Sequence, residues 1–194
     1  MRYEAPNSVE AAIDLLAATE GAYVLAGGTD LLVKLRAEML EPELVVDIKR
    51  ISGMKGITPE DGGWRIGAAV SGAEMGEHAG LVGAWPGVVE AVGLIGSTQV
   101  QGRATLAGNL CNASPAADSV PAMVAANATL RIVGPKGSRD VAVIDVPASP
   151  GKTTLGSGEF IASVFLPAKP DHGGDAYLRF IPRTEMDIAV VGCG

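Results

Sequence analysis

Apolar residues at Val9, Ala12, Ile13 and Leu16 share one helical face, and Ser8 stands at the N-cap position before them. The pattern predicts a helix over residues 9–18. Residues 22–25 (AYVL) form a short apolar run of strand composition, predicted to be buried. The run stops at Gly27-Gly28, and a second helix is predicted at once over residues 31 to about 39, capped by Thr29 or Asp30. Residues 43–48 (ELVVDI) are rich in β-branched side chains and predict a strand. The opening of the chain thus reads α-β-α-β, a compact lobe with a parallel strand pair.

Beyond it the character changes. Asp61-Gly62-Gly63 is a hairpin signal ahead of a strand over residues 64–70. Ser71-Gly72-Ala73-Glu74 reads as a capping box, so a helix follows. Pro86 opens another over 87–95, and residues 118–125 read as a third with Pro121 in its first turn. Strands are predicted over 129–133, 141–146 and 159–166, with turns at Gly134-Pro135-Lys136-Gly137 and Pro150-Gly151. The second lobe is therefore α+β and mostly antiparallel. Its boundary with the first is placed near residues 52–56, which divides the chain into 1–54, 55–175 and 176–194. The last piece starts an apolar strand at 188–191 and stops. That predicts a truncated chain, or a segment pairing with something absent.

Composition narrows the class. The chain has 194 residues, 47% hydrophobic but only 4% aromatic, so its core is built from Val, Leu, Ile and Ala. Fifteen Lys and Arg against 22 Asp and Glu give a net charge of −7, which supplies no basic footprint for nucleic acid or an anionic membrane. A nucleotide or flavin site is still compatible, because a local backbone cradle suffices. Cys111 and Cys193 are too few for an iron–sulfur cluster, and His78 and His172 make no zinc motif. No metal site is expected. The N-terminus lacks an apolar signal core, so a cytoplasmic protein is expected.

Two stretches carry chemistry. In Leu25-Ala26-Gly27-Gly28-Thr29-Asp30-Leu31-Leu32 a strand, a Gly-Gly turn and a helix start bring successive backbone N–H groups together, an anion nest suited to pyrophosphate. The alternative is a plain strand–helix turn. The second stretch runs from Ile95-Gly96-Ser97-Thr98-Gln99 through Thr105, Gly108 and Asn109 to Asn112-Ala113-Ser114-Pro115-Ala116-Ala117-Asp118. So much polar side chain is costly to bury unpaired, so it is either a solvated loop or a ligand wall.

Taken together, LAGGTDLL, IGSTQVQGRATLAGN, ASPAADSVP and RFIPRTEMDIA occur in the order and spacing of a known family. The chain resembles the FAD-binding medium subunit of the molybdenum hydroxylases, which include carbon monoxide dehydrogenase and xanthine dehydrogenase. That family carries an AGGTDL loop, an IGSxQxRNxxTxGGN loop followed by ASPxxDxxP, and a K/R-x-x-x-R-x-x-x-DIA signature. The resemblance implies the two-lobe α+β fold of PCMH-type FAD-binding domains, shared with vanillyl-alcohol-oxidase-type enzymes, with FAD between the lobes.

It also implies roles by position. Leu25, Ala26, Gly27, Gly28, Thr29, Asp30 and Leu31 would cradle the FAD pyrophosphate. Ile95 would pack on the flavin's path, with Gly96, Ser97 and Gln99 shaping the turn. Thr105, Ala107, Gly108 and Asn109 would line the second loop, with Ser114 beside it. Asp118 would bond a hydroxyl of the adenosine half, Ile161 would touch the adenine side, and Arg179 would lie near the cofactor. Arg183 and Asp187 complete the signature or pair structurally. No catalytic acid or base is nominated.

Two departures stand out: Gln101-Gly102 replaces the family's Arg-Asn, and Ala107 replaces a glycine. A methyl at Ala107 is expected to disturb the loop if the backbone there needs positive φ. The resemblance further implies an oxidoreductase: a flavoprotein subunit taking electrons from the iron–sulfur clusters of a small partner subunit. A large molybdopterin subunit would hydroxylate the substrate, and NAD, a quinone or oxygen would accept the electrons. The family continues after the DIA signature as a C-terminal domain, most of which this chain is expected to lack. The alternative is therefore a truncated, non-catalytic FAD-domain fragment serving as an assembly or docking module.

The remaining chemistry-bearing residues read as structural. Cys111 is expected to be a small loop residue, His78 to end a helix and stabilise its C-terminal dipole, and Trp64 and Trp85 to be core or partner contacts.

Overall fold

The computed structural model describes residues 1–184 and 187–194. Its first lobe contains β1 (Arg2–Glu4), α1 (Val9–Ala18), β2 (Ala22–Leu25), α2 (Leu31–Arg36) and β3 (Leu44–Asp47). The three strands form a parallel sheet in the order β1-β3-β2, with Tyr3 and Val24 opposite Val45 and Val46. β3 is central, and all four of its residues are buried. That is why it reads as an unbroken apolar run rather than an alternating one. Ser8 caps α1 as expected, accepting from the Ala11 amide at 3.2 Å.

Three details differ from the sequence reading. β1 was not anticipated, because its three residues are exposed and carry no apolar pattern. β2 is only partly buried. α2 stops at Arg36, where the chain turns through Glu38 at φ 54. The amides of Glu38 and Met39 close that end on the carbonyls of Leu35 and Lys34.

The second lobe begins with the hairpin β4 (Ile57–Glu60) and β5 (Gly63–Gly67), joined through Asp61 and Gly62, both at positive φ. That matches the turn that Asp-Gly encodes. Six short helices follow: α3 (Gly72–Glu77), α4 (Ala79–Ala84), α5 (Pro86–Gly93), α6 (Thr98–Gln101), α7 (Leu106–Cys111) and α8 (Ser119–Ala125). The strands β6 (Thr129–Gly134), β7 (Gly137–Ala142), β8 (Pro147–Ser149), β9 (Lys152–Thr153) and β10 (Phe160–Leu166) come next. The antiparallel sheet has the order β4-β5-β10-β6-β7, with β10 at its centre. The whole is α+β, with Met75, Leu81, Val88, Met123, Leu130, Ile132 and Phe160 in a core shared by helices and sheet.

Residues 143–145, expected as strand, form a short 3-10 turn after β7. The C-terminal apolar stretch does not lack a partner. β11 (Leu178–Phe180) pairs antiparallel with β12 (Val191–Cys193). His78 ends α3 at its C-cap, as expected, but its side chain serves the next helix rather than the dipole of α3. Its Nδ1 accepts the Leu81 amide at 3.1 Å and caps the start of α4. Trp85 is core, donating its indole N–H to the Pro167 carbonyl at 2.9 Å. Among the described residues, no helix is long and apolar enough to cross a membrane.

The capping box at α3 is complete: the Glu74 amide donates to Ser71 Oγ, while Ser71 N and Oγ donate to Glu74 Oε2 at 2.8 and 2.7 Å. Ser71→Ala is expected to cost about 1 kcal/mol. A urea titration checks it: the midpoint falls while the slope is unchanged.

Candidate functional site

A cleft of about 340 Å³ opens where the two lobes meet. One wall is the end of β2 and the loop into α2; the other is the start of α7 and the first residues of β10. The loop geometry follows from two glycines. Gly28 lies at φ +82, where a side chain is strained, and an added Cβ would sit 2.9 Å from Leu25 Cδ1. Gly27 is constrained by space instead. A Cβ there would fall on the Arg103 carbonyl, so the first loop and the second stretch touch backbone to backbone.

This turn leaves the amides of Gly27, Gly28, Thr29, Asp30 and Leu31 without a protein acceptor among the described residues. Unsatisfied amides in succession are costly unless water or a ligand meets them. Asp30 stands at the N-cap of α2, but neither it nor Thr29 makes the expected side-chain cap. Instead Lys34 Nζ donates to Asn112 Oδ1 at 2.6 Å, and Asn112 Nδ2 donates to Asp30 Oδ1 at 2.9 Å. This chain ties α2 to the residue after α7 across the floor of the cleft. Burial pushes the Asp30 carboxyl up, only partly offset by Lys34.

On the facing wall, Thr105 Oγ1 accepts the Gly108 amide at 2.9 Å and caps α7, which leaves its O–H free to donate. Ala107 lies within α7, with φ outside the positive region, so its methyl does not strain the loop as the sequence suggested.

The anticipated residues thus fall into two groups. Leu25 to Leu31, Thr105, Ala107, Gly108 and Ile161 line the cleft together. Ile95, Gly96, Ser97, Gln99, Asn109, Ser114, Asp118 and Arg179 do not line it. Gly96 turns the chain at φ +61, Ser97 stands at the N-cap of α6 without a side-chain bond, and Gln99 is exposed. Asn109 Oδ1 accepts from Ser119 Oγ at 2.7 Å, bracing α7 on α8, and Ser114 Oγ accepts from the Ala116 amide.

Asp118 is buried, and each of its oxygens accepts one side-chain hydrogen bond. It accepts from the Tyr177 hydroxyl at 2.9 Å and from Arg179 Nη1 at 3.1 Å, and Arg179 also donates to the Leu94 carbonyl. Burial and the Asp118 carboxylate push the Tyr177 hydroxyl well above its ordinary value. Arg183 and Asp187 pair across one helical-type spacing at 3.0 Å, while Glu185 and Met186 of the same signature lie outside the described residues.

Lys34, Glu159 and Phe160 also line the cleft and were not anticipated there, as do Asn112 and Cys111, which belong to the stretch read as a loop or ligand wall. Lys34 was legible as the cation four residues after Asp30. Phe160 carried no local signal. Cys111 is not a loop residue but the last residue of α7; one face is open to the cleft, yet protein crowding pushes its thiol up to about 12.

Comparison with known proteins places these features in context. Residues 1–169 match the family described as the FAD binding domain in molybdopterin dehydrogenase. The chain is 34% identical to the xanthine dehydrogenase FAD-binding subunit of Escherichia coli O157:H7, over 98% of this chain and 66% of that protein. It is 31% identical to the carbon monoxide dehydrogenase medium chain of Hydrogenophaga pseudoflava, over 98% of this chain and 67% of that one. Among solved structures it superposes on reconstituted CO dehydrogenase from Oligotropha carboxidovorans with a TM-score of 0.93 at 29% identity, covering 99% of this chain and 67% of the other. The chain therefore spans about two thirds of the length of these relatives.

Proposed function

The chain belongs to the family of FAD-binding domains in molybdopterin dehydrogenases, and on that premise we propose that its cleft holds FAD with the pyrophosphate against the amides of Gly27 to Leu31. The observation carrying this reading is the run of five amides without protein acceptors at a turn that only glycine adopts without strain. Each charge-assisted bond from such an amide is worth about 1.5–3 kcal/mol. A diphosphate fits that donor set, and the spare Thr105 hydroxyl adds a donor from the facing wall.

In this reading Ala107 and Gly108 form the floor beneath the phosphates, and Ile161 and Phe160 offer an apolar face toward the adenine end. Lys34 supplies a cation, held by Asn112 close to the phosphate loop. Ile95, Gly96, Ser97 and Gln99 shape the turn past which the flavin end lies. Each Asp118 oxygen keeps a spare lone pair, so Asp118 can accept a cofactor hydroxyl while it holds Tyr177 and Arg179. Together with Arg179 it also supports that turn, through the Leu94 carbonyl. Asn109 and Ser114 support the second loop in the same way.

Bound FAD supplies the redox chemistry, and the protein's part is to hold and orient it. No side chain here is assigned a proton-transfer role. The chain would serve as the flavin subunit of a molybdenum hydroxylase. A small iron–sulfur subunit would be its electron donor and a large molybdopterin subunit its source of substrate electrons. NAD, a quinone or oxygen would be the acceptor.

The near-ultraviolet and visible absorption spectrum of the purified chain tests the cofactor assignment. Flavin bands, with FAD released on heating, are the expected result. A colourless protein that refuses added FAD would reject the assignment for this chain and favour the docking-module alternative. Gly28→Val is expected to abolish FAD binding while the circular dichroism spectrum stays native, because a β-branched side chain is strained at φ +82. Full flavin retention by a folded Gly28→Val protein would remove the phosphate loop from the site.

A further inference from the structure

Behind the phosphate loop lies a second cavity, of about 450 Å³, lined by Lys49, Lys55, Ser71, Glu74 and Arg103 among others. Ala26 and Gly27 line both this cavity and the cofactor cleft, so their shared peptide is the partition between them. Lys49 lines the second cavity alone. Its Nζ donates to the Ala26 carbonyl at 2.9 Å and pairs with Asp47 Oδ1 at 2.8 Å.

A trans peptide is planar, with its C=O and N–H pointing to opposite sides. Holding the Ala26 oxygen toward the second cavity therefore turns the Gly27 N–H toward the cofactor cleft. We propose that Lys49 is a positioning residue for cofactor binding: it grips the Ala26 carbonyl from behind and so fixes the first amide of the phosphate loop in its donating orientation.

The grip is itself anchored. Asp47 ends β3, and besides Lys49 it accepts from the Tyr3 hydroxyl of β1 at 2.6 Å and from the Lys49 amide at 2.9 Å. Burial raises the Asp47 carboxyl, but the bonds from Lys49 and Tyr3 outweigh it and hold it below its usual value. The carboxylate thus stays charged opposite Lys49. All three strands of the first sheet contribute: β1 through Tyr3, β3 through Asp47, and β2 through Ala26 just past its end. Without Lys49, the Ala26–Gly27 peptide loses its one side-chain tether among the described residues and can rotate, turning a carbonyl oxygen toward an anion.

The inference rests on the proposed FAD site, and the experiment separates the two. Lys49→Met, Lys49→Gln and Lys49→Arg are compared with the parent chain by titration with FAD, ADP and riboflavin. The three-bond HN–Hα couplings of Gly27, which report its φ, are measured by NMR without ligand. Lys49→Met is expected to weaken FAD and ADP alike by about ten- to a hundredfold. Riboflavin, which lacks the diphosphate, is unaffected, the Gly27 couplings move toward conformationally averaged values, and thermal stability changes little. Lys49→Arg restores binding. Should Lys49→Met fail to fold, Lys49→Gln reads the same contact without the charge. Unchanged FAD and ADP affinity with unchanged couplings would overturn the positioning role. If the parent chain binds neither FAD nor ADP, the cofactor site itself falls. In that case the coupling comparison alone decides whether Lys49 orients the peptide: altered couplings support it and unchanged couplings overturn it.

Discussion

The site depends on one close approach. At Gly27 the backbone of the first loop lies so near the Arg103 carbonyl that no Cβ fits between them. That contact joins two parts of the chain that are far apart in sequence and belong to different lobes. It is reinforced one residue later, where the Ala104 carbonyl accepts the Gly72 amide at 2.9 Å and ties the second stretch to the capped start of α3. The cleft exists because these backbones meet on one side and diverge on the other. A methyl group at Gly27 would pry them apart, so the residue is required by space rather than by dihedral preference, unlike Gly28 beside it.

The first sheet explains how a short parallel layer can hold such a loop steadily. β3 is buried on both faces, and its C-terminal end carries a carboxylate rather than another aliphatic residue. A buried charge is tolerated only when paired and hydrogen-bonded. Tyr3, Lys49 and the Lys49 amide satisfy Asp47, and the cost of burying it is offset by the order it imposes on the loop. The exposed, unpatterned β1 thereby has a function. It delivers the Tyr3 hydroxyl to the strand ends where the loop begins.

Elements whose cause is local were legible in the sequence. Ser8 and the Ser71–Glu74 box announce their helices, Asp61-Gly62 announces its hairpin, and β10 shows as a long apolar run. The loop at Gly27-Gly28 was legible as a candidate cradle because a Gly-Gly turn between a strand and a helix start brings successive amides together. β1 was invisible, since what holds it is a tyrosine hydroxyl meeting a carboxylate 44 residues away. α4, α6 and α7 are short and lack apolar periodicity, so tertiary packing decides them. The same limit divides the site. Residues within the loop were readable from their spacing, whereas Glu159 and Phe160 enter the cleft through the packing of β10. That Asp118 and Arg179 bond each other is likewise a result of packing that the sequence does not reveal.

The electrostatics then make sense of an acidic protein offering an anion site. A net charge of −7 acts at long range and is screened beyond a Debye length of about 8 Å at physiological salt. The loop amides act at hydrogen-bond distance, inside a cleft where fewer waters compete. For a diphosphate held as proposed, the short-range donors outweigh the net charge. The nearby acidic groups are also managed: Asp30 is engaged by Asn112 with its carboxyl pushed up by burial, Asp47 is held by Lys49 behind the loop, and Asp118 is matched by Arg179. Glu159, which also lines the cleft, is paired with Arg139, so each of these carboxylates has a partner of its own. The backbone donors are left as the principal electrostatic feature of that wall.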